Sequence, residues 1–151
     1  MITVTKRFRW TMGHRLTHGY EGPCTNLHGH DYSVEVTMGS SSLNAHGMVI
    51  DFKEISRLMK GWIDQNWDHG FLIHKDDTQL LNFLMLGDQS KHYIVDWNTT
   101  AENIAHFLYW KFQAELHALA DDIEERGLRI IKIRVYETPD SWAELAEGGV
   151  S

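Results

Sequence analysis

The stretch HGHDYSVEVTM, residues 28–38, alternates strictly: His28, His30, Tyr32, Val34, Val36 and Met38 share one face of an extended chain, while Asp31, Ser33, Glu35 and Thr37 share the other. Successive side chains of a strand point to opposite sides of a sheet, so this pattern predicts a half-buried β-strand. From Met1 to about Leu16 the same alternation places Phe8, Trp10, Met12 and His14 on one side and Arg7, Arg9 and Thr11 on the other. The intervening THGYEGPCTN, residues 17–26, is built from turn formers. Two such strands predict an antiparallel pair with one buried face and one polar face.

Beyond the turn-like GSSSLNAHG the period changes. Between Asp51 and about Trp67, Phe52, Ile55, Leu58, Met59, Trp62 and Ile63 recur at helical spacing, and Asp51 is the expected cap. A second helix is expected from near Thr99, where Thr99 and Glu102 have capping-box spacing, through Ile104, Phe107, Leu108, Phe112, Leu116 and Leu119. Gly127 lies past its end. Ile131, Ile133, Val135 and Glu137 then share a face of a third strand, and a short fourth strand follows Pro139. The order strand, strand, helix, helix, strand, strand predicts an α+β domain with two helices on one face of an antiparallel sheet. Residues 75–96 mix the apolar LLNFLML with GDQSK and HYIVDW, and are read as an irregular insertion within one domain spanning 1–151.

Composition narrows the function classes. With 151 residues, 42% of them hydrophobic, the chain can bury a core of its own. A formal charge of −7 and no clustered Lys and Arg argue against nucleic-acid binding. No apolar run is long enough to span a membrane, and the first residues lack a signal peptide's apolar stretch, so a cytoplasmic protein is expected. The single cysteine, Cys24, cannot form an internal disulfide, which fits a reducing compartment.

Ten histidines in a chain of this length direct attention to metal spacing. His28 and His30 are two residues apart on a strand, so both imidazoles leave the same face. The preceding strand ends its buried face at His14, so an antiparallel neighbour can bring a third nitrogen to the same point. Three protein ligands leave a fourth position for water or substrate, the arrangement of catalytic rather than structural zinc, and one cysteine cannot close a structural site. The competing reading of H-x-H is a pair of ordinary strand histidines. His18, His46, His74, His92, His106 and His117 are read as surface or packing residues, with none assigned to zinc.

These histidines lie within the first two of six landmarks that, in order, resemble the 6-pyruvoyl-tetrahydropterin synthase and 6-carboxy-tetrahydropterin synthase group. The landmarks are GHRL around His14, CTNLHGH from Cys24 to His30, GMVIDF from Gly47, WDHGFL around Asp68 and His69, TAEN from Thr100, and ETPDSWAE from Glu137. The resemblance implies the tunnelling fold, a ββααββ subunit that assembles as a homohexamer, a dimer of trimers. Because the gap in CTNLHGH is the short one of the 6-carboxy-forming branch, it also implies conversion of 7,8-dihydroneopterin triphosphate to 6-carboxy-5,6,7,8-tetrahydropterin. Acetaldehyde and triphosphate would be released, in the pathway to queuosine and related 7-deazapurines.

The same resemblance implies roles for single residues. Cys24 is the proton acceptor, a task for which a thiol beside a dication is suited because the cation favours its thiolate. Zinc held by His14, His28 and His30 acts as a Lewis acid on substrate oxygens. Asp68 and His69 form a pair in which the carboxylate orients an imidazole that relays protons, either in their own subunit or in a neighbour. Glu137 anchors the pterin through its paired N–H donors, and Thr100 lies near that pocket. Arg15, Lys53 and Arg7 are the cations available for the triphosphate. Pro23, Trp67 and Asn98-Thr99 depart from the group's common pattern. The alternatives are a paralogue forming 6-pyruvoyl-tetrahydropterin or 6-hydroxymethyl-dihydropterin, and a noncatalytic zinc-binding assembly protein of the same fold.

Overall fold

The computed structural model describes residues 1–87 and 90–149, and the two N-terminal strands fulfil the alternation written in their sequence. β1 (Ile2–His14) and β2 (His28–Ser40) pair antiparallel along their full length, with Ile2 opposite Ser40 and His14 opposite His28. Phe8, Trp10, Met12, Tyr32, Val34, Val36 and Met38 are all buried. A helical stretch follows, made of α1 (Phe52–Ile55), a π-helical turn (Ser56–Lys60) and α2 (Gly61–Asn66). Asp51 caps it as expected, accepting the Lys53 N–H at 2.8 Å. Ile55, Met59 and Ile63 form its buried stripe, whereas Phe52, expected on that stripe, is exposed in the first turn with Lys6 over its ring. The wider π turn changes which side chains stack above one another, a feature that a 3.6-residue period does not contain.

Residues 75–96 are not irregular. β3 (Gly70–His74) pairs in parallel with β1, α3 (Thr78–Met85) takes up LLNFLM, and β4 (His92–Val95) pairs in parallel with β3. The GDQSK portion of this segment includes residues 88 and 89, which lie outside the described residues. α4 (Ala101–Glu115) passes through a 3-10 turn (Leu116–Ala118) towards the short α5 (Ile123–Arg126). Gly127 ends α5 with φ 59°, the left-handed conformation glycine adopts without a Cβ clash. β5 (Arg129–Thr138) and β6 (Ser141–Ala146) complete the sheet, whose order is β4-β3-β1-β2-β5-β6. The ββααββ frame is therefore antiparallel through β1, β2, β5 and β6, and two parallel strands widen it at the β1 edge.

β5 departs from strict alternation. A bulge beside Thr37 and Met38 pairs Met38 with Ile130 and Thr37 with Lys132. Ile130, Ile133 and Val135 consequently enter the core, and Ile131 does not share their face. The α4 residues Ile104, Leu108 and Phe112 cover that core together with Ile55, Met59 and Ile63. Each such side chain contributes about 2 kcal/mol by leaving water. An aromatic cluster ties the added strands to the frame: Trp67 lies against Trp10, Trp62, Phe107 and Tyr93 at centroid separations of 5.1–6.0 Å. Among the described residues, no helix is long and apolar enough to cross a membrane.

Candidate metal centre

Full pairing of β1 with β2 brings the end of one strand to the start of the other, and three imidazoles converge there. The rings of His14 and His28 are 4.6 Å apart, those of His14 and His30 5.2 Å, and those of His28 and His30 4.9 Å. One nitrogen from each lies within 4.8 Å of the other two. Their orientation is fixed from behind. His14 Nδ1 lies 2.7 Å from the Thr99 carbonyl and 3.1 Å from its hydroxyl, and His28 Nδ1 lies 2.7 Å from the Asn26 carbonyl. A carbonyl can only accept, so each of these Nδ1 atoms carries a proton, and a neutral ring then has its lone pair at Nε2.

Among the described residues, nothing donates to His14 Nε2 or His30 Nε2, both of which are buried without a hydrogen-bond partner. Glu137 adds an anion: its Oε1 is 3.4 Å from His30 Nε2 and 3.6 Å from His14 Nε2. Burial, reinforced by repulsion from His28, lowers the pKa of His14 to about 4, leaving it neutral near pH 7. Burial also lowers that of His30, against the opposing pull of Glu137. Neutral imidazole lone pairs facing a carboxylate form a set of acceptors that a cation satisfies. The donor set, three imidazole nitrogens with carbonyls behind two of them, fits a divalent ion of the zinc type.

Beside the histidines opens a cavity of about 250 Å³, lined by His14, Cys24, Thr100, Glu102, Glu137 and Trp142 among others. Cys24 reaches it from a 3-10 turn (Pro23–Thr25) and is partly buried. Its carbonyl accepts the Leu16 N–H at 2.8 Å, tying the loop back to the end of β1. Glu137 reaches it from β5 and is about one-third exposed. Thr100 is the actual N-cap of α4, with the Asn103 N–H at 3.4 Å. The cap expected at Thr99 is thus displaced by one residue, because Thr99 is buried behind His14. Tyr32 stands beneath the triad, edge-on to His30, and burial raises the pKa of its phenol.

Asp68 and His69 are together, but they do not line this cavity. Asp68 Oδ2 lies 3.0 Å from His69 Nδ1, and its Oδ1 accepts the Thr11 N–H at 2.9 Å. Desolvation opposes ionisation of Asp68, but the Thr11 N–H, His69 and Lys60 outweigh it and hold its pKa below the usual carboxylate value. The His69 side chain is 80% exposed. Its backbone has φ 60°, left-handed for a residue with a side chain, and is held there by the His69 N–H to Thr11 carbonyl bond at 2.8 Å. Among Arg15, Arg7 and Lys53, Arg15 is engaged by Asp77 through two hydrogen bonds of 2.6 and 2.7 Å. Arg7 bonds Ser33 and lies over Tyr136, and Lys53 belongs to a separate surface hollow.

The residues that spacing did not single out are those acting through their surroundings. Thr99 and Asn26 orient imidazoles mainly by backbone carbonyls, which leave no mark on side-chain patterning. Trp142 enters the cavity from β6, a strand too short for its alternation to mark which side chains face the site.

Comparison with known proteins matches residues 3–148 to the family described as 6-pyruvoyl tetrahydropterin synthase. The chain is 34% identical over 145 residues to the 6-carboxy-5,6,7,8-tetrahydropterin synthase of Rickettsia bellii, covering 96% of this chain and 100% of that one. It is 34% identical over 165 residues to the protein of the same name from Aquifex aeolicus, covering 95% and 97%. In fold it is similar to an uncharacterised protein of Wolinella succinogenes, with a TM-score of 0.79 and 24% identity over 97% of this chain and 98% of the other.

Proposed function

We propose that this chain, which belongs to the 6-pyruvoyl tetrahydropterin synthase family, is a zinc-dependent 6-carboxy-5,6,7,8-tetrahydropterin synthase acting on 7,8-dihydroneopterin triphosphate. The observation that carries the reading is the convergence of one nitrogen each from His14, His28 and His30 with the carboxylate of Glu137, on a cavity that also contains Cys24. The 33–34% identity to relatives bearing that name and the short gap between Cys24 and His28 support this product over the pyruvoyl form.

His14, His28 and His30 would hold the zinc ion, which would supply Lewis acidity towards the oxygens of the substrate side chain. Glu137 accepts the amino group and ring N–H of the pterin, which a carboxylate matches as a paired acceptor. Cys24 takes a proton from the side chain at the cavity wall. Asp68 holds His69 through Nδ1, leaving Nε2 as the free end that carries protons during isomerisation and carbon–carbon cleavage. Because that end does not face the cavity of its own chain, self-association completes the site, with Asp68 and His69 serving a neighbouring copy in a hexameric, trimer-based assembly. Thr100 borders the pterin pocket as well as capping α4.

Incubation of the zinc-loaded protein with 7,8-dihydroneopterin triphosphate, followed by product identification, tests the proposal. The expected products are 6-carboxy-5,6,7,8-tetrahydropterin, acetaldehyde and triphosphate. Accumulation of 6-pyruvoyl-tetrahydropterin or 6-hydroxymethyl-dihydropterin would assign the chain to a paralogue. Unchanged substrate would mark it as a noncatalytic zinc protein of the same fold.

A further inference from the structure

His18 and His74, far apart in sequence, meet face to face with ring centroids 4.6 Å apart and planes inclined by 25°. His74 ends β3 and is 7% exposed, whereas His18 projects from the loop between β1 and β2. Asp76 stands beside them, its Oδ2 3.8 Å from His74 Nδ1, beyond hydrogen-bond range. One ligand atom from each of the three lies within 4.8 Å of the other two, the same spacing that His14, His28 and His30 achieve. We propose that His18, His74 and Asp76 form a second divalent-metal site, taking zinc or a similar first-row ion through two imidazoles and one carboxylate.

The chemistry of the cluster favours a cation. Two stacked imidazoles offer each other no hydrogen bond, and the nearby carboxylate is too far to accept one. The Asp76 backbone N–H donates to His74 Nδ1 at 3.1 Å, so that nitrogen presents a lone pair on the side of Asp76. A metal at Nδ1 replaces this contact. Zinc takes N and O ligands at about 2.0–2.2 Å, which sets ligand atoms roughly 3.3 Å apart. Inward rotation of the exposed His18 and Asp76 side chains by on the order of 1 Å meets that distance. Two nitrogens and one oxygen suit a borderline ion rather than magnesium or calcium.

The consequence concerns the loop that carries Cys24. Arg15 and Asp77 already join the start of this loop to the turn before α3. A metal on His18, His74 and Asp76 makes a second tie between the same segments, closer in sequence to Cys24, and fixes the loop more firmly than the ion pair alone. It is independent of the His14, His28 and His30 centre, with which it shares no ligand.

Cobalt titration of the chelator-stripped, full-length protein, read by visible absorption and by metal analysis after desalting, tests the site. The wild type should bind two equivalents per chain, and the variants His18→Ala and Asp76→Asn, both at exposed positions, should each bind one. His28→Ala should retain one equivalent, lost when His18→Ala is added. A wild-type stoichiometry of one, a second equivalent that survives either surface substitution, or a His28→Ala chain that binds none would overturn the proposal.

Discussion

Thr99 determines which nitrogen of His14 faces the cavity, and it does so largely through its backbone. Its carbonyl accepts from Nδ1 at 2.7 Å and its hydroxyl adds a longer contact at 3.1 Å. Thr99→Val removes only the second, so zinc affinity should fall by no more than about tenfold, at the low end of what an outer partner of a metal-bound histidine contributes. Competition with a zinc-binding dye measures this, and an unchanged affinity would show that the carbonyl alone sets the ring. His69 is a second residue-scale case. Its left-handed backbone costs about 1 kcal/mol that glycine does not incur. His69→Gly should therefore raise the urea midpoint while lowering turnover by more than tenfold, whereas a merely structural His69 would leave turnover intact. The triad itself was legible from sequence, because strand alternation and an antiparallel return constrain where His14, His28 and His30 must meet. The support from Thr99 was not, since a carbonyl carries no residue-specific signal.

At the scale of elements, local periodicity read correctly wherever an element is regular and failed where it is interrupted. β1 and β2 pair with each other without a bulge, and Phe8, Trp10, Met12, Tyr32, Val34, Val36 and Met38 are inside, whereas His28 and His30 are only partly buried and Ser33, expected on the polar face, is buried as well. In β5 one extra residue near Ile131 shifts the inward set, so Ile130 replaces Ile131 without any glycine to announce it. Residues 75–96 resisted reading because a two-turn helix and a four-residue strand are too short for their periods to stand out, and parallel partners are set by tertiary contacts. The junction of this segment depends on Asp77, which caps α3 and binds Arg15. Asp77→Asn keeps a capping oxygen but loses the ion pair, and should cost about 1–2 kcal/mol at neutral pH. Arg15 lowers the pKa of Asp77 below its unfolded value of 3.8. The pair's contribution is therefore complete above that value and is lost as pH falls through the lower folded one. Urea midpoints of wild type and Asp77→Asn should differ at about pH 7 and converge in strong acid. Curves that stay parallel throughout would refute this assignment.

For the whole molecule, the separation of His69 from the cavity of its own chain is the decisive feature. If each site joins Cys24 of one copy to Asp68 and His69 of another, Cys24→Ala and His69→Ala proteins should each be inactive. After mixing and subunit exchange, roughly a quarter of sites should recover both groups in a randomly assembled oligomer. No recovery after verified exchange would place both groups in one chain. Cys24, Glu137 and the three imidazoles meet at the proposed metal, and diffraction from zinc-loaded crystals at wavelengths on either side of the zinc edge locates it. An anomalous peak is expected about 2.1 Å from the Nε2 atoms of His14, His28 and His30, on the side of the cavity that holds Cys24 and Glu137. Absence of a peak among those nitrogens in zinc-loaded protein, or ligation through Nδ1, would contradict this placement of the metal.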